Sequence, residues 1–177
     1  MKKLQVGVIG SAGCEEYPNK KPSKKAFKTA YEIGKIIASE KAILICGGKG
    51  GIMKEACRGA KENNGITVGV ISGNKLNQAN EYVDVEVVSG VTNCSEEALI
   101  ISMSDGIIAI GGGAGTLQEI AIAYRNKKPV IAIRGIPGWA NKLSDTYLDE
   151  RKIIKILGAR SPREALKLLL RKIKMLR

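Results

Sequence analysis

The sequence contains no histidine. That absence removes the Ser-His-Asp triad, the Cys-His dyad, the two-histidine zinc helix and the mixed Cys/His finger, because each needs an imidazole as base or ligand. Cysteine is scarce and scattered. Cys14, Cys46, Cys57 and Cys94 never fall into a CxxC pair, which argues against zinc and thioredoxin-like sites. Cys46 closes an apolar run and reads as a small buried hydrophobe. Aromatics are few, at five tyrosines, one phenylalanine and one tryptophan, so no basic stretch is interleaved with rings for base stacking. No uninterrupted apolar run approaches the roughly 18 residues of a membrane helix. Met1-Lys2-Lys3 followed by an apolar stretch imitates a leader, but that stretch is strand-length and ends at Gly10-Ser11. The expectation is therefore a cytoplasmic protein without membrane contact, and the glycosylation-like Asn93-Cys94-Ser95 is read as a chance match.

What is present is an ordinary globular composition: 177 residues, 44% hydrophobic and 26% charged. That length suits one domain with a core that needs no staple. Charge is lopsided, with 29 Lys and Arg against 17 Asp and Glu. Residues 151–177 hold ten basic residues against one acid, Glu164, and a second cluster comprises Lys20, Lys21, Lys24, Lys25 and Lys28. Such clusters attract nucleic acid or anionic ligands, or they are solvated helix faces of the kind common in thermophiles.

Apolar runs alternate with helical patterns along the whole chain, which predicts βαβ units. Strands are expected at 4–9, 42–46, 66–71, 83–88, 106–110, 130–133 and 153–157. The 83–88 strand carries Asp84 and Glu86 on alternate positions facing outward, so it belongs at an edge. Helices are expected from Ser23, as N-cap, to Ala38, from the Gly47–Gly51 turn to Asn63, over 95–104, and from Thr116 to Arg125. Another is expected after Ser161-Pro162-Arg163-Glu164, a capping box with proline at the first helical position. The predicted fold class is α/β: one doubly wound, mostly parallel, Rossmann-like domain over 1–177 with helices on both faces.

Three strand-to-helix tips are rich in glycine: 10–13, 47–51 and 111–116. In such a sheet, ligands bind beyond the carboxyl ends of the strands where strand order reverses. Missing side chains let backbone N–H groups approach an anion, and the following helix offers its N-terminus. The expected contacts to a phosphorylated ligand are Gly10, Ser11 and Gly13, then Gly47, Gly48, Lys49 and Gly51, then Gly112, Gly113, Gly115 and Thr116. Ser11 and Thr116 add hydroxyls, and Lys49 is either a counter-charge or an exposed turn lysine. Neither a GxGxxG after a strand nor a GxxxxGK[ST] P-loop is present.

Two of these tips carry a family resemblance. Leu44–Met53 is similar to the GGGxxGLM turn of the LONELY GUY (LOG)-like proteins, also called lysine decarboxylase-like. Gly111–Glu119, reading GGGAGTLQE, resembles their PGGxGTxxE signature with glycine in place of proline. Gly10-Ser11 and Gly69-Val70-Ile71 fit the same pattern, which spans about residues 4–134. The stretch from Arg134 through Gly138-Trp139 resembles a prokaryotic subgroup related to DprA/Smf, in a superfamily that includes molybdenum-cofactor carriers. The resemblance implies nucleotide binding and, in the LOG enzymes, hydrolysis of a nucleoside 5′-monophosphate to base and ribose 5-phosphate. Their catalytic glutamate maps to Glu119, which is otherwise a first-turn acid serving the helix dipole. Their arginine-lysine pair falls on Glu96-Glu97, a reversal of charge that ranks catalysis second to plain ligand binding.

The leading expectation is thus a binder of a phosphorylated small molecule, either a nucleotide or a molybdopterin-type ligand, with no cofactor required and no metal. A DprA-related nucleic-acid interaction stands third. The resemblance also implies a homo-oligomer, dimer or tetramer. The helix from Ser95 supports it, with Ala98, Leu99, Ile100, Ile101 and Met103 apolar on more than one face, and Ile101→Asp is the expected disruptor.

Overall fold

The computed structural model describes residues 2–13, 21–91 and 96–176. The readings placed on Cys14, Lys20 and 92–95, including the expected start at Ser95, lie outside them. Seven strands form one sheet: β1 (Gln5–Gly10), β2 (Ile43–Cys46), β3 (Ile66–Ile71), β4 (Val85–Val88), β5 (Gly106–Ile110), β6 (Val130–Ile133) and β7 (Leu157–Ala159). Their order is β4-β3-β2-β1-β5-β6-β7, and all six pairings are parallel. The sheet is thus wholly parallel, and it needs cover on both faces. The strand order reverses between β1 and β5, whose residues pair from Val6↔Gly106 to Gly10↔Ile110.

Cover comes from α1 (Lys24–Ser39), α2 (Gly51–Lys61) and α6 (Pro162–Leu176) on one face. The other face carries α3 (Glu97–Met103), α4 (Ala114–Arg125) and α5 (Trp139–Leu143). Ser23 caps α1 as its pattern requires, its hydroxyl accepting from the Ala26 N–H at 3.2 Å. At α6 the capping box is shifted: Ser161 Oγ accepts from the Glu164 N–H, while the Glu164 carboxylate takes the N–H of Arg160 at 2.7 Å. The buried stripe of α6 is Ala165, Leu166, Leu169 and Ile173, each large member contributing about 1.5–3 kcal/mol by leaving water.

Three expectations need correction. The run 153–157 is not the last strand; β7 begins at Leu157, because the Ile153 N–H binds the Tyr124 hydroxyl and buried Ile156 bridges Thr146 in antiparallel fashion. Helix α4 starts at Ala114, two residues early, with Gly113 as its cap. At the β4 edge, Asp84 and Glu86 do not simply face water. Asp84 accepts from the N–H and hydroxyl of Thr67, and Glu86 accepts the N–H groups of Asn77 and Gln78, so both carboxylates pin the edge strand.

Candidate functional site

The chain leaves β1, β2 and β5 at the same end of the sheet, two of them flanking the reversal of strand order. Their tips close around a cavity of about 550 Å³. Gly10, Ser11 and Gly13 line it from the first tip, Gly47 and Lys49 from the second, and Gly113, Gly115, Thr116 and Glu119 from the third. Three of the expected contacts are elsewhere. Gly48 turns its carbonyl to the N–H and side-chain amide of Asn80, both at 2.8 Å, and packs on Ile71. Gly51 fits against the backbone of Ser11, whose carbonyl accepts the Ile52 N–H at 3.0 Å. Gly112, at φ +82°, lies under the Thr116 side chain, where a Cβ would collide with Oγ1. Gly51 thus joins the second tip to the first, Gly48 ties the second tip to the segment at Asn80, and Gly112 lines a second, neighbouring cavity.

Helix α4 points its N-terminus into this space. Gly113 supplies no side-chain cap, so the first-turn N–H groups and the positive end of the helix dipole are left for another partner. The opposite electrostatic character comes from three carboxylates. Glu96, Glu97 and Glu119 all line the cavity, and all are buried, at 9%, 9% and 7% exposure. Burial, reinforced by Glu97, Cys46 and Glu96, raises the Glu119 carboxyl well above the usual carboxylate range. Glu119 stands in the second turn of α4, so service to the helix dipole in the first turn does not explain it. Lys49 is half exposed, and its Nζ reaches only to 4.0 Å from Glu96 Oε1. The other oxygen, Oε2, is buried without a hydrogen-bond partner among the described residues.

Sequence reasoning placed Met53 in the second-tip motif and Ile100 on an apolar helix face but expected neither in the site, and both form apolar walls of the cavity. A helical period marks both as core, and only the packing shows that each also faces this space. A second cavity, about 420 Å³, shares Ser11 and Gly113 with the first and is lined further by Lys21, Pro22, Ile136, Pro137 and Gly138. Beneath the second tip, buried Cys46 and Cys57 hold their sulfurs 3.4 Å apart, and contact with Cys46 together with burial pushes the Cys57 thiol up. Among the described residues no three Cys, Asp or Glu side chains converge as metal ligands. None of the cavity residues belongs to the basic helix α6, and no described helix is long and apolar enough to cross a membrane.

Fold and site together define a Rossmann-like α/β domain whose cavity lies at the topological switch point, the usual ligand position in this architecture. The chain belongs to the SLOG cluster4 family, whose model matches residues 3–166. An uncharacterised protein from Archaeoglobus fulgidus is 35% identical over 130 residues, covering 73% of this chain and 80% of the relative. The crystal structure of TM1055 superposes with a TM-score of 0.86 at 30% identity, over 95% of this chain and 99% of that one. The molybdenum cofactor binding protein of Rippkaea orientalis gives 0.82 at 30% identity, and the molybdenum cofactor carrier protein of Chlamydomonas reinhardtii gives 0.80 at 27%. Each comparison covers 98% of this chain and 99% of the other. DprA of Streptococcus pneumoniae shares the fold alone, with a TM-score of 0.65 at 19% identity over 93% of this chain and 61% of DprA.

Proposed function

We propose that this protein binds a phosphorylated small molecule, a nucleotide or a molybdopterin-type ligand, in the switch-point cavity in the cytoplasm. The observation that carries the reading is the uncapped N-terminus of α4 opening into a space lined by all three glycine-rich tips. The volume of about 550 Å³ falls in the range of small-molecule pockets. A phosphate at the helix terminus would complete first-turn N–H groups that no described side chain caps, in a cavity also lined by Ser11, Thr116 and Lys49. Similarity to the molybdenum cofactor proteins supports a carrier role over turnover. Isothermal titration with AMP, GMP, ADP, ribose 5-phosphate and molybdopterin tests it. At least one should bind below millimolar, and no such binding across the panel overturns it.

A second reading, phosphoribohydrolase activity, is favoured by one observation. Glu119 lines the cavity with its carboxyl held toward the protonated form, as a general acid requires. Against it, Glu96 and Glu97 occupy the region where the LOG enzymes have their arginine-lysine pair, and loss of one such electrostatic stabiliser typically costs about 10²–10³ in rate. Release of free base from AMP, abolished in Glu119→Ala, would establish this activity; release at the buffer rate rejects it.

We also propose that the outer face of α3 and α4 mediates a homodimer or tetramer. Leu99 is 38% exposed, and half-buried Met103, Leu117, Ala121 and Ile122 complete an apolar face. Ile101, the residue first expected to disrupt such an interface, is fully buried within its own chain, so Leu99 replaces it as the probe.

A further inference from the structure

The second cavity, about 420 Å³, adjoins the first at Ser11 and Gly113, which line both. Gly113 is also the N-cap of α4. The helix terminus that suits a phosphate therefore lies where the two cavities meet, and a ligand held there can extend into either. The two lobes differ in chemistry. Three buried carboxylates, Glu96, Glu97 and Glu119, line the first. Among the described residues no carboxylate lines the second. Its one charged side chain is the exposed Lys21, and its apolar walls include the buried Ile52, Ile110 and Ile136. Its volume also falls in the range of small-molecule pockets.

One wall of the second lobe depends on a departure from the family signature. Gly111 stands where the signature has proline. Its φ is +57°, which proline, fixed at about −65°, cannot adopt, and a Cβ there would lie 2.9 Å from the Pro137 carbonyl oxygen. Gly138, at φ +136°, comes closer still: a Cβ would fall 2.4 Å from the Gly111 carbonyl carbon. The N–H groups of Trp139 and Ala140 donate to the carbonyls of Gly112 and Gly111, both at 3.0 Å. The turn 136–138 is thus clamped to the third tip, and all three of its residues line the second lobe.

Resting on the ligand-binding reading above, we infer that the site takes a two-part ligand, a diphosphate with a nucleoside-sized group at each end. A phosphate monoester held at the junction has one substituent and fills one lobe, whereas a diphosphate carries a group on either side and fills both. The mononucleotide half occupies the first lobe, and the diphosphate crosses at Ser11 and Gly113 beside the α4 terminus. The second half is a neutral ring that packs on the isoleucine walls of the second lobe. The Lys21 ammonium, a donor without acceptor capacity, favours the diphosphate and acceptor atoms on that ring, and no carboxylate in the lining opposes them.

The test is titration of GMP, GDP and diguanosine 5′,5′-diphosphate, followed by calorimetry and by amide chemical shifts. GMP reads the first lobe alone, and GDP controls for the second phosphate. The two-part ligand should bind at least about tenfold more tightly than GDP, because a second ring leaves water. It should also shift the amides of Lys21, Ile136 and Gly138, which GMP leaves little changed. Ile136→Phe pushes a larger side chain into the second lobe and should cut the advantage over GDP to about threefold or less, with GMP affinity unchanged. The unchanged GMP affinity also shows that the variant is folded. Lys21→Glu, at an exposed position, gives the same reading should Ile136→Phe not fold, and it should reduce the advantage at least about fivefold. No advantage over GDP, an advantage undiminished in either folded variant, or shifts confined to the first lobe overturns the inference while leaving phosphate binding intact. Absence of binding by all three ligands overturns both readings.

Discussion

The two faces of the sheet are built differently. On one, α1 and α2 meet backbone to backbone: Gly34 lies against the Ala56 carbonyl and Gly59 against that of Tyr31, with no room for a Cβ at either. Arg58 seals the seam, bonding Glu55 and Glu62 while standing over the Tyr31 ring, and the Tyr31 hydroxyl donates to Glu62 at 2.7 Å. Along this seam Arg58, Glu55, Glu62 and Tyr31 are all paired, and Ala30, Ile33, Ala56 and Ala60 are buried. On the other face, α3 is seven residues long, Leu99 points partly outward, and Glu96, Glu97 and Glu119 are drawn below the surface. Consistency between pattern and environment marks the first face as scaffold. Its violation on the second marks the place where the sequence answers to something other than stability.

The largest expected effect breaks the scaffold. Gly34→Ala forces a methyl into the Ala56 carbonyl, and chemical denaturation should show a loss of about 3 kcal/mol or more, the upper range for overpacking. Gly115→Ala should do the reverse. Nothing lies within 4 Å of the added Cβ, so stability should hold or rise by up to about 1 kcal/mol as helix propensity improves. Its methyl enters the cavity at the α4 terminus, however, and phosphate-ligand affinity should drop by at least about tenfold. If both glycine variants behave alike, the division between faces is wrong.

The same contrast applies to apolar positions on α3. Ile101→Asp should unfold the chain, because it buries a carboxylate among core residues. Leu99→Asp should leave the fold intact and convert the oligomer to a species near 18.9 kDa by light scattering. A wild type that is already monomeric removes the assembly proposal.

A smaller effect concerns pH. The Glu119 carboxyl has its folded pKa raised above the unfolded value, so the native state binds more protons between the two. Stability is therefore full below the ordinary carboxylate range and falls as pH rises through the raised value. Glu119→Gln, which cannot ionise, should melt higher than the wild type at pH 8, with the gap closing toward pH 4. An equal gap at both pH values would show that Glu119 is already stabilised as an anion.

Much of the scaffold was legible in the sequence, less of the site. Ile66–Ile71, Gly106–Ile110 and Val130–Ile133 form strands over the expected residues, because continuous apolar runs bounded by glycine or proline suit strands buried on both faces. The run 153–157 is as rich in isoleucine and leucine but is interrupted by Lys155, and Ile156 packs with residues of α4 and α5 and does not join the ladder. The glycine-rich tips marked the end of the sheet where the cavity lies. They did not distinguish Gly115, which faces it, from Gly51, which lets one piece of backbone pass another, or from Gly112, which makes room for the Thr116 side chain. That distinction depends on which segment crosses nearby, and local pattern does not carry it. Counting back from Glu119 found Glu96 and Glu97 as departures from the family signature, but their burial arises only when α3 packs against α4.

Amide chemical-shift mapping of the isotope-labelled protein during titration with GMP tests the central claim most directly. The account predicts that the largest shifts cluster at 10–13, at Gly47 and Lys49, and at 113–116, with α1, α2 and α6 little changed. Shifts concentrated on the basic stripe Arg163, Lys167, Arg171 and Lys174, or no shifts at millimolar ligand, would contradict it.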